Sequence, residues 1–233
     1  MLLQLDLARF VIVYITQGVF LVIFLLIVAS ILKRGTDREH IIISGFYFFI
    51  ALGFLINFIY APLTDLALVS ILNGITNFCV FFGLIFLTVY ILSLLISESK
   101  FTVRKQNMIF LVYFILLCGM YLIPGGVEIG PQTSCKPVWN FTFFLYLIIL
   151  VSSMAIVPTL VSSLRLYKKM TMEDLQKRWK YFIIGVIGVY FIMYGTMLSN
   201  TLNNPEFRMI WSLIALTTFV WAYLSYYGIG KRI

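Results

Sequence analysis

The chain has 233 residues, of which 62% are hydrophobic and only 11% charged, with a net charge of +8 and a mean hydropathy of +1.03. A soluble domain is typically about 45–50% apolar and about 25% charged, so a soluble globular fold is excluded. The apolar residues come in long unbroken runs rather than in alternation, which excludes a membrane β-barrel and points to spanning helices.

Charge-free runs occupy residues 10–32, 41–60, 66–96, 106–123, 138–164, 181–202 and 209–227. Most reach the roughly 20 apolar residues that cross a bilayer. The pattern predicts an all-α, seven-transmembrane-helix bundle forming a single domain over residues 1–233, with a short exit after the last span. The first run is too long, and its lead (Asp6, Arg9) too weakly basic, for a cleaved signal peptide. Thr36 with Glu39 reads as a capping box before the second helix, in which Gly45 and Gly53 offer surfaces for close packing. Thr64 or Asp65 is placed to cap the third. The fourth run is short and opens on Gln106 and Asn107. The loop "PGGVEIGPQTSCKP" that follows is rich in Gly and Pro and is expected to lack regular structure. Pro137 suits the first turn of the fifth helix, Thr171 with Asp174 a looser cap on the sixth, and Asn204-Pro205 the start of the seventh. Gly185, Gly188, Gly195 and Ser199 give the sixth helix small surfaces for backbone approach.

Basic residues gather in the first, third and fifth connections and at the C-terminus. All of the 17 Lys and Arg lie there except Arg9, Lys136 and Arg208. Positive loops stay in the cytoplasm, so the N-terminus is expected outside and the C-terminus inside. Tyr60, Tyr121, Trp139 and Trp211 then fall near outer ends, and Tyr167, Trp179, Tyr181, Tyr226 and Tyr227 near inner ends, as an interfacial aromatic belt requires. The expected partners are the lipid bilayer and, through Lys168, Lys169, Lys177, Arg178 and Lys180, anionic headgroups at the cytoplasmic face. Nucleic acid is not an expected partner, because no basic domain stands clear of the membrane. The expected location is the cell membrane.

None of the seven runs contains Asp, Glu, Lys, Arg or His. Proton pumps, voltage sensors and ion-coupled transporters generally need such groups within the membrane, and a retinal protein needs a lysine in its last helix. The single histidine, His40, lies in an inner loop, where it serves as an interfacial polar residue. Alone it supplies neither a two-sided haem ligand set nor a multi-histidine metal site. No cofactor is expected, and with acids, bases and a phosphate loop missing from the spans, no enzyme activity either. Cys118 and Cys135 lie close enough in topology for a bridge that the spacing does not demand. Asn140 heads an "NFT" sequon set against Trp139 at the membrane surface, too close for ready modification.

The polar residues that remain within the spans are the informative ones. Asn73 and Asn77 share one helix face. At about 1.5 Å per residue they lie about 10 Å and about 16 Å in from the outer surface. Gln17 falls in the outer third of the first helix and Asn57 near the outer end of the second; Asn200 and Asn203 share that height on the sixth, with Thr196 and Ser199 a turn deeper, and Asn140 starts the fifth, whereas the inner halves are dominated by Leu, Ile, Val and Phe. Two readings fit. The amides are interhelical glue, each bond giving about 0.6 kcal/mol on average, or they line an outward-opening cavity. The cavity reading names Gln17, Asn57, Asn73, Asn77, Tyr194, Thr196 and Asn200 as ligand-binding residues, with Tyr14, Phe78, Tyr190 and Tyr194 as aromatic walls. Such a cavity suits a small neutral or amphipathic ligand and suits a charged one poorly.

Two stretches carry a family resemblance: "RLYKKMTMEDLQKRWKYFIIGVIG" (165–188) and "LKRGTDREHIIISGFYFFIALGF" (32–54). Together with seven spans, an external N-terminus and a short exit, they resemble the seven-transmembrane sensor region at the N-terminus of some histidine kinases and related signalling proteins. That family continues into an output domain, whereas this chain ends at "GIGKRI". The resemblance therefore implies output through a separate cytoplasmic or membrane signalling partner, and it supplies no catalytic residues. The expectation is a stand-alone sensory or receptor-like membrane protein that signals through its cytoplasmic loops. The alternatives are a small permease or membrane subunit of a transport complex, and a scaffold without a ligand. Small sugar transporters of similar topology carry a Pro-Gln pair within helices; here Pro131-Gln132 lies in a loop.

Overall fold

The computed structural model describes residues 7–133 and 136–229. Seven of its helices are long and apolar enough to cross a membrane: α1 (Val11–Arg34), α2 (Arg38–Tyr60), α3 (Leu66–Leu95), α4 (Val103–Leu122), α5 (Phe141–Lys169), α6 (Glu173–Leu202) and α7 (Pro205–Gly228). A short turn, Leu7–Phe10, leads into α1. These helices make the chain a multi-pass membrane protein of the all-α class. Consecutive helices are antiparallel neighbours, and the start of α7 returns to the start of α1, which closes the bundle. α3 also packs on α5, so α3 and α6 are the most enclosed helices. One face carries the basic connections; the opposite face carries Arg9, Lys136 and Arg208.

Several helix starts differ from expectation for local reasons. Asp37, not Thr36, caps α2: its carboxylate accepts from His40 N at 3.1 Å and contacts His40 Nδ1 at 2.5 Å. These contacts, above all the side-chain one, hold the Asp37 carboxyl below its ordinary pKa. The Thr171 cap does not form, because α6 begins after Met172, which makes no side-chain cap bond. Pro137 lies ahead of α5, whose cap is Asn140, accepting from Phe143 N at 2.7 Å. Asp65 caps α3 and Asn204 caps α7, with Pro205 in its first turn. The Gly- and Pro-rich loop holds a small antiparallel ladder, β1 (Val127–Glu128) with β2 (Val138–Trp139), pairing Val127 with Trp139. Cys135 and the C-terminal Lys231 and Arg232 lie outside the described residues, and so does the Cys118–Cys135 pairing.

The small residues of α6 seat α7. A Cβ added at Gly185 would meet Ser225 N at 2.4 Å and Trp221 O at 2.6 Å, and Gly188 and Gly195 lie under the rings of Trp221 and Trp211. On α2, Gly45 and Gly53 receive Phe86 and Val80 of α3 in the same way. Close backbone approach of this kind is how membrane helices gain packing where lipid supplies no hydrophobic drive.

Four helices depart from regular α geometry, the mildest being α4, whose last turn, Gly119–Leu122, is 3-10. Val11–Gln17 of α1 and Ser152–Ile156 of α5 are π-helical turns. Pro158 lies just beyond the second, where it removes a backbone donor. Buried Thr88 of α3 donates to the Ala155 carbonyl at 3.1 Å and contacts Thr159 Oγ1 at 2.8 Å, so a neighbouring helix occupies polar groups in this turn. In α7, Leu216 and Thr217 tighten to bonds three residues apart, Leu216 N to Leu213 O and Thr217 N to Ile214 O. Such turns are often found at functional sites.

Candidate functional site

The bundle encloses a cavity of about 280 Å³. Its walls come from α1, α2, α3, α6 and α7, and the segment leading into α5 covers part of it through Lys136, Pro137 and Trp139. Six of the seven residues expected at a ligand site line it: Gln17, Asn57, Asn73, Asn77, Thr196 and Asn200.

The seventh, Tyr194, does not. Its hydroxyl is 2.5 Å from Ser152 Oγ in the π turn of α5, on another face of α6 from Thr196. The expected aromatic walls are also corrected. Tyr14 packs on Phe58 with ring centroids 4.6 Å apart, and Phe78 packs on Phe82 and Phe114. Tyr190 lines a small separate void nearer the basic face. The rings that face the cavity are instead Phe20, Phe24, Phe46, Phe54, Phe81, Trp139 and Trp211, with Tyr47 and Tyr60 at its two ends.

The amides are paired and still border the void. Asn57 Nδ2 donates to Gln17 Oε1 at 2.5 Å, which ties α2 to the π turn of α1. Asn77 Nδ2 donates to Asn73 Oδ1 at 3.1 Å, and Asn73 Nδ2 donates to the Tyr60 hydroxyl at 2.7 Å, which ties α3 to α2. The i, i+4 spacing of the two asparagines makes this relay possible. The two readings of the sequence, glue and cavity wall, therefore describe the same side chains. Trp211 Nε1 donates to Thr196 Oγ1 at 3.2 Å, while Thr196 donates back to the Ile192 carbonyl. Two buried polar atoms in cavity-lining residues, Thr76 Oγ1 and Trp139 Nε1, have no hydrogen-bond partner among the described residues. A buried polar group left without a partner is costly, and neither atom is itself open to the cavity.

Polarity falls along the cavity in one direction. At the end nearer the N-terminus stand Arg9, Lys136, Arg208 and Asn200; the amides come next; Phe24, Phe46, Tyr47 and Leu84 form the far end. Beyond that end lie the small void beside Tyr190 and then packed side chains such as Ile43, Ile85 and Ile91, which show no exposure. The cationic rim escapes a reading confined to the spans, because all three residues sit just outside the apolar runs. The signal available was that they are the basic residues missing from the basic face.

Lys168 and Lys169 end α5, and Lys177, Arg178 and Lys180 lie in the first turns of α6, on the face opposite the rim. The lysines are exposed and Arg178 is half-buried. Comparison of the chain with protein-family models, with curated proteins and with solved structures finds no match.

Proposed function

We propose that this is a receptor-like protein of the cell membrane that binds a small amphipathic molecule in the cavity and signals at the basic, cytoplasmic face to a separate partner. The observation that carries this reading is a hollow lined by cations and amides at one end and by aromatic and aliphatic side chains at the other. Its volume is just below the range of about 300–1,000 Å³ common for small-molecule pockets. An apolar floor favours binding over passage, and so ranks the receptor above the permease. The similarity of residues 32–54 and 165–188 to the sensor region of histidine kinases supports the same choice. In that scheme no residue is given a catalytic role and no cofactor is needed.

The coupling element is the α6–α7 pair. α6 lines the cavity through Val189, Met193, Thr196, Ser199 and Asn200 and begins at the basic face with Lys177 and Lys180. Its glycines seat α7 by close approach along the helix, so in this scheme the two helices tilt together. A ligand that prefers one tilt of this pair shifts its population by its difference in affinity for the two states.

The test places a fluorescent label at position 177 of the protein in nanodiscs and titrates single-chain amphiphiles. Saturable binding should change the label's emission, and Asn73→Leu with Asn77→Leu should abolish the change while leaving insertion intact. Binding with no change at position 177 would refute signalling through α6. In proteoliposomes, delivery of the bound amphiphile to the lumen would establish the permease instead.

A further inference from the structure

The cations at the rim of the cavity are already engaged. Arg208 Nε donates to the Ser199 carbonyl at 3.3 Å and Nη2 to the Pro137 carbonyl at 3.2 Å, and Arg9 and Lys136 have partners of their own. No acidic residue is among the described residues that line the cavity, so a cationic head would meet no counter-charge there. The groups left to recognise a ligand are the amides.

Their hydrogen-bonding capacity is only partly used. A single bond between two carboxamides always leaves one amino group and one oxygen over. In the Asn57–Gln17 pair these are Gln17 Nε2 and Asn57 Oδ1; reversing both amides exchanges the two roles and still leaves one donor and one acceptor. Asn77 spends its amino group on Asn73 Oδ1, and its own Oδ1 is left over as a second acceptor. Asn73 is buried, whereas Gln17, Asn57 and Asn77 are half-buried, and all of them line the hollow.

Below these amides the same three helices turn apolar. On α1, Gln17 gives way to Phe20 and Phe24; on α2, Asn57 to Phe54 and Ile50; on α3, Asn77 to Phe81 and Leu84. The step from Asn77 to Leu84 covers about 10 Å at about 1.5 Å per residue. α7 keeps Thr218 and Ser225, but their hydroxyls donate to the carbonyls of Ala215 and Ala222 in their own helix. A small polar solute has no use for that depth, so the ligand carries an apolar chain.

The head follows from the unused groups. A carboxylate only accepts and an ammonium only donates, whereas a hydroxyl does both. We infer that the ligand is an uncharged single-chain amphiphile whose head both donates and accepts, of the fatty-alcohol type. Its hydroxyl accepts from Gln17 Nε2 and donates to Asn57 Oδ1 or Asn77 Oδ1, and its chain points down between α1, α2 and α3. This inference rests on the reading of the cavity as a ligand site and narrows it to one class of ligand.

The experiment measures radiolabelled compounds of one chain length on the protein in zwitterionic nanodiscs, with empty nanodiscs subtracted. They are decanol; decyl methyl ether, which accepts but cannot donate; decanoate, at a pH that keeps it ionised; and decyltrimethylammonium. Decanol should bind saturably. The ether should bind about tenfold more weakly, since it leaves an amide oxygen unpaired, and both ions more weakly still. Gln17→Met, Asn57→Leu and Asn77→Leu together should bring decanol and the ether within about twofold of each other, a change of ranking that a merely loosened fold would not produce. An ether or an ion that binds as well as decanol, or an unaltered decanol-to-ether ratio in the triple variant, overturns the donating and accepting head while the cavity reading survives. If none of the compounds binds saturably, the cavity reading itself falls. The comparison of ligands on the parent protein decides the matter even where the triple variant fails to fold.

Discussion

The two halves of this bundle use the same seven helices in opposite ways. Toward the basic face, branched aliphatic and aromatic side chains fill the interior: Ile43, Ile85, Ile91 and Phe182 are 1% exposed or less. Toward the other face, amides, hydroxyls and cations join apolar side chains around a cavity of about 280 Å³. The difference lies in side-chain chemistry. Leu and Ile repack until a void closes, whereas an amide already bonded to its neighbour holds its position beside one. The hydrogen bonds Asn57–Gln17 and Asn77–Asn73–Tyr60 keep the walls apart while tying the helices together.

Substitutions should separate the halves by size of effect. The largest is expected for Gly185→Leu, whose Cβ alone would fall 2.4 Å from the backbone of α7. Overpacking against backbone should cost more than about 3 kcal/mol, read as loss of the monodisperse folded fraction on size exclusion; an unchanged profile would mean that α6 and α7 do not meet there. Phe182→Ala in the packed half should cost about 3 kcal/mol by cavity creation. Phe54→Ala, on the wall of an existing void, should cost about a third of that, so thermal unfolding midpoints of the two variants test the contrast directly. Asn73→Leu with Asn77→Leu removes two bonds at about 0.6 kcal/mol each. Unfolding should therefore shift only slightly while amphiphile binding weakens; collapse of the fold would show the amides to be structural alone. Asn57→Leu should cost about 0.6 kcal/mol, with the loss visible as faster hydrogen exchange in the π turn of α1.

The smallest effect lies outside the contrast, at the start of α2. The Asp37 carboxyl is held below its ordinary pKa by His40. Its stabilising contact is therefore fully present above about pH 4, the ordinary carboxylate value, and is lost as pH falls through the lowered one. Amide exchange in the first turn of α2 should quicken only in that acid range, and Asp37→Asn should remove the dependence.

The seven helices were legible because charge-free runs of this length admit almost no other structure in lipid. Depth was legible too, since position along a helix converts directly to height, and so Gln17, Asn57, Asn73, Asn77, Thr196 and Asn200 could be grouped. Rotation was not. Tyr194 shares its height with the lining residues, but a displacement of two positions from Thr196 turns it about 200° at 3.6 residues per turn, toward Ser152. Phe78 is misplaced for the same reason: it neighbours Asn77 in sequence and faces α4 in space. Caps failed where two polar residues competed, as Thr36 and Asp37 did, because the winner depends on the entry angle of the chain. The cationic rim needed three segments far apart in sequence to be brought to one place, which only the closure of α7 onto α1 accomplishes.

The glycine seat between α6 and α7 has a consequence for how such a protein tolerates change. Because Trp211 and Trp221 rest on glycines where any other residue would collide, α6 and α7 are packed together below their two-residue turn at Asn203 and Asn204. Under the proposed function, variants along this seam should lose recognition and output as one phenotype. Variants of α4, which contributes no side chain to the hollow, should spare both.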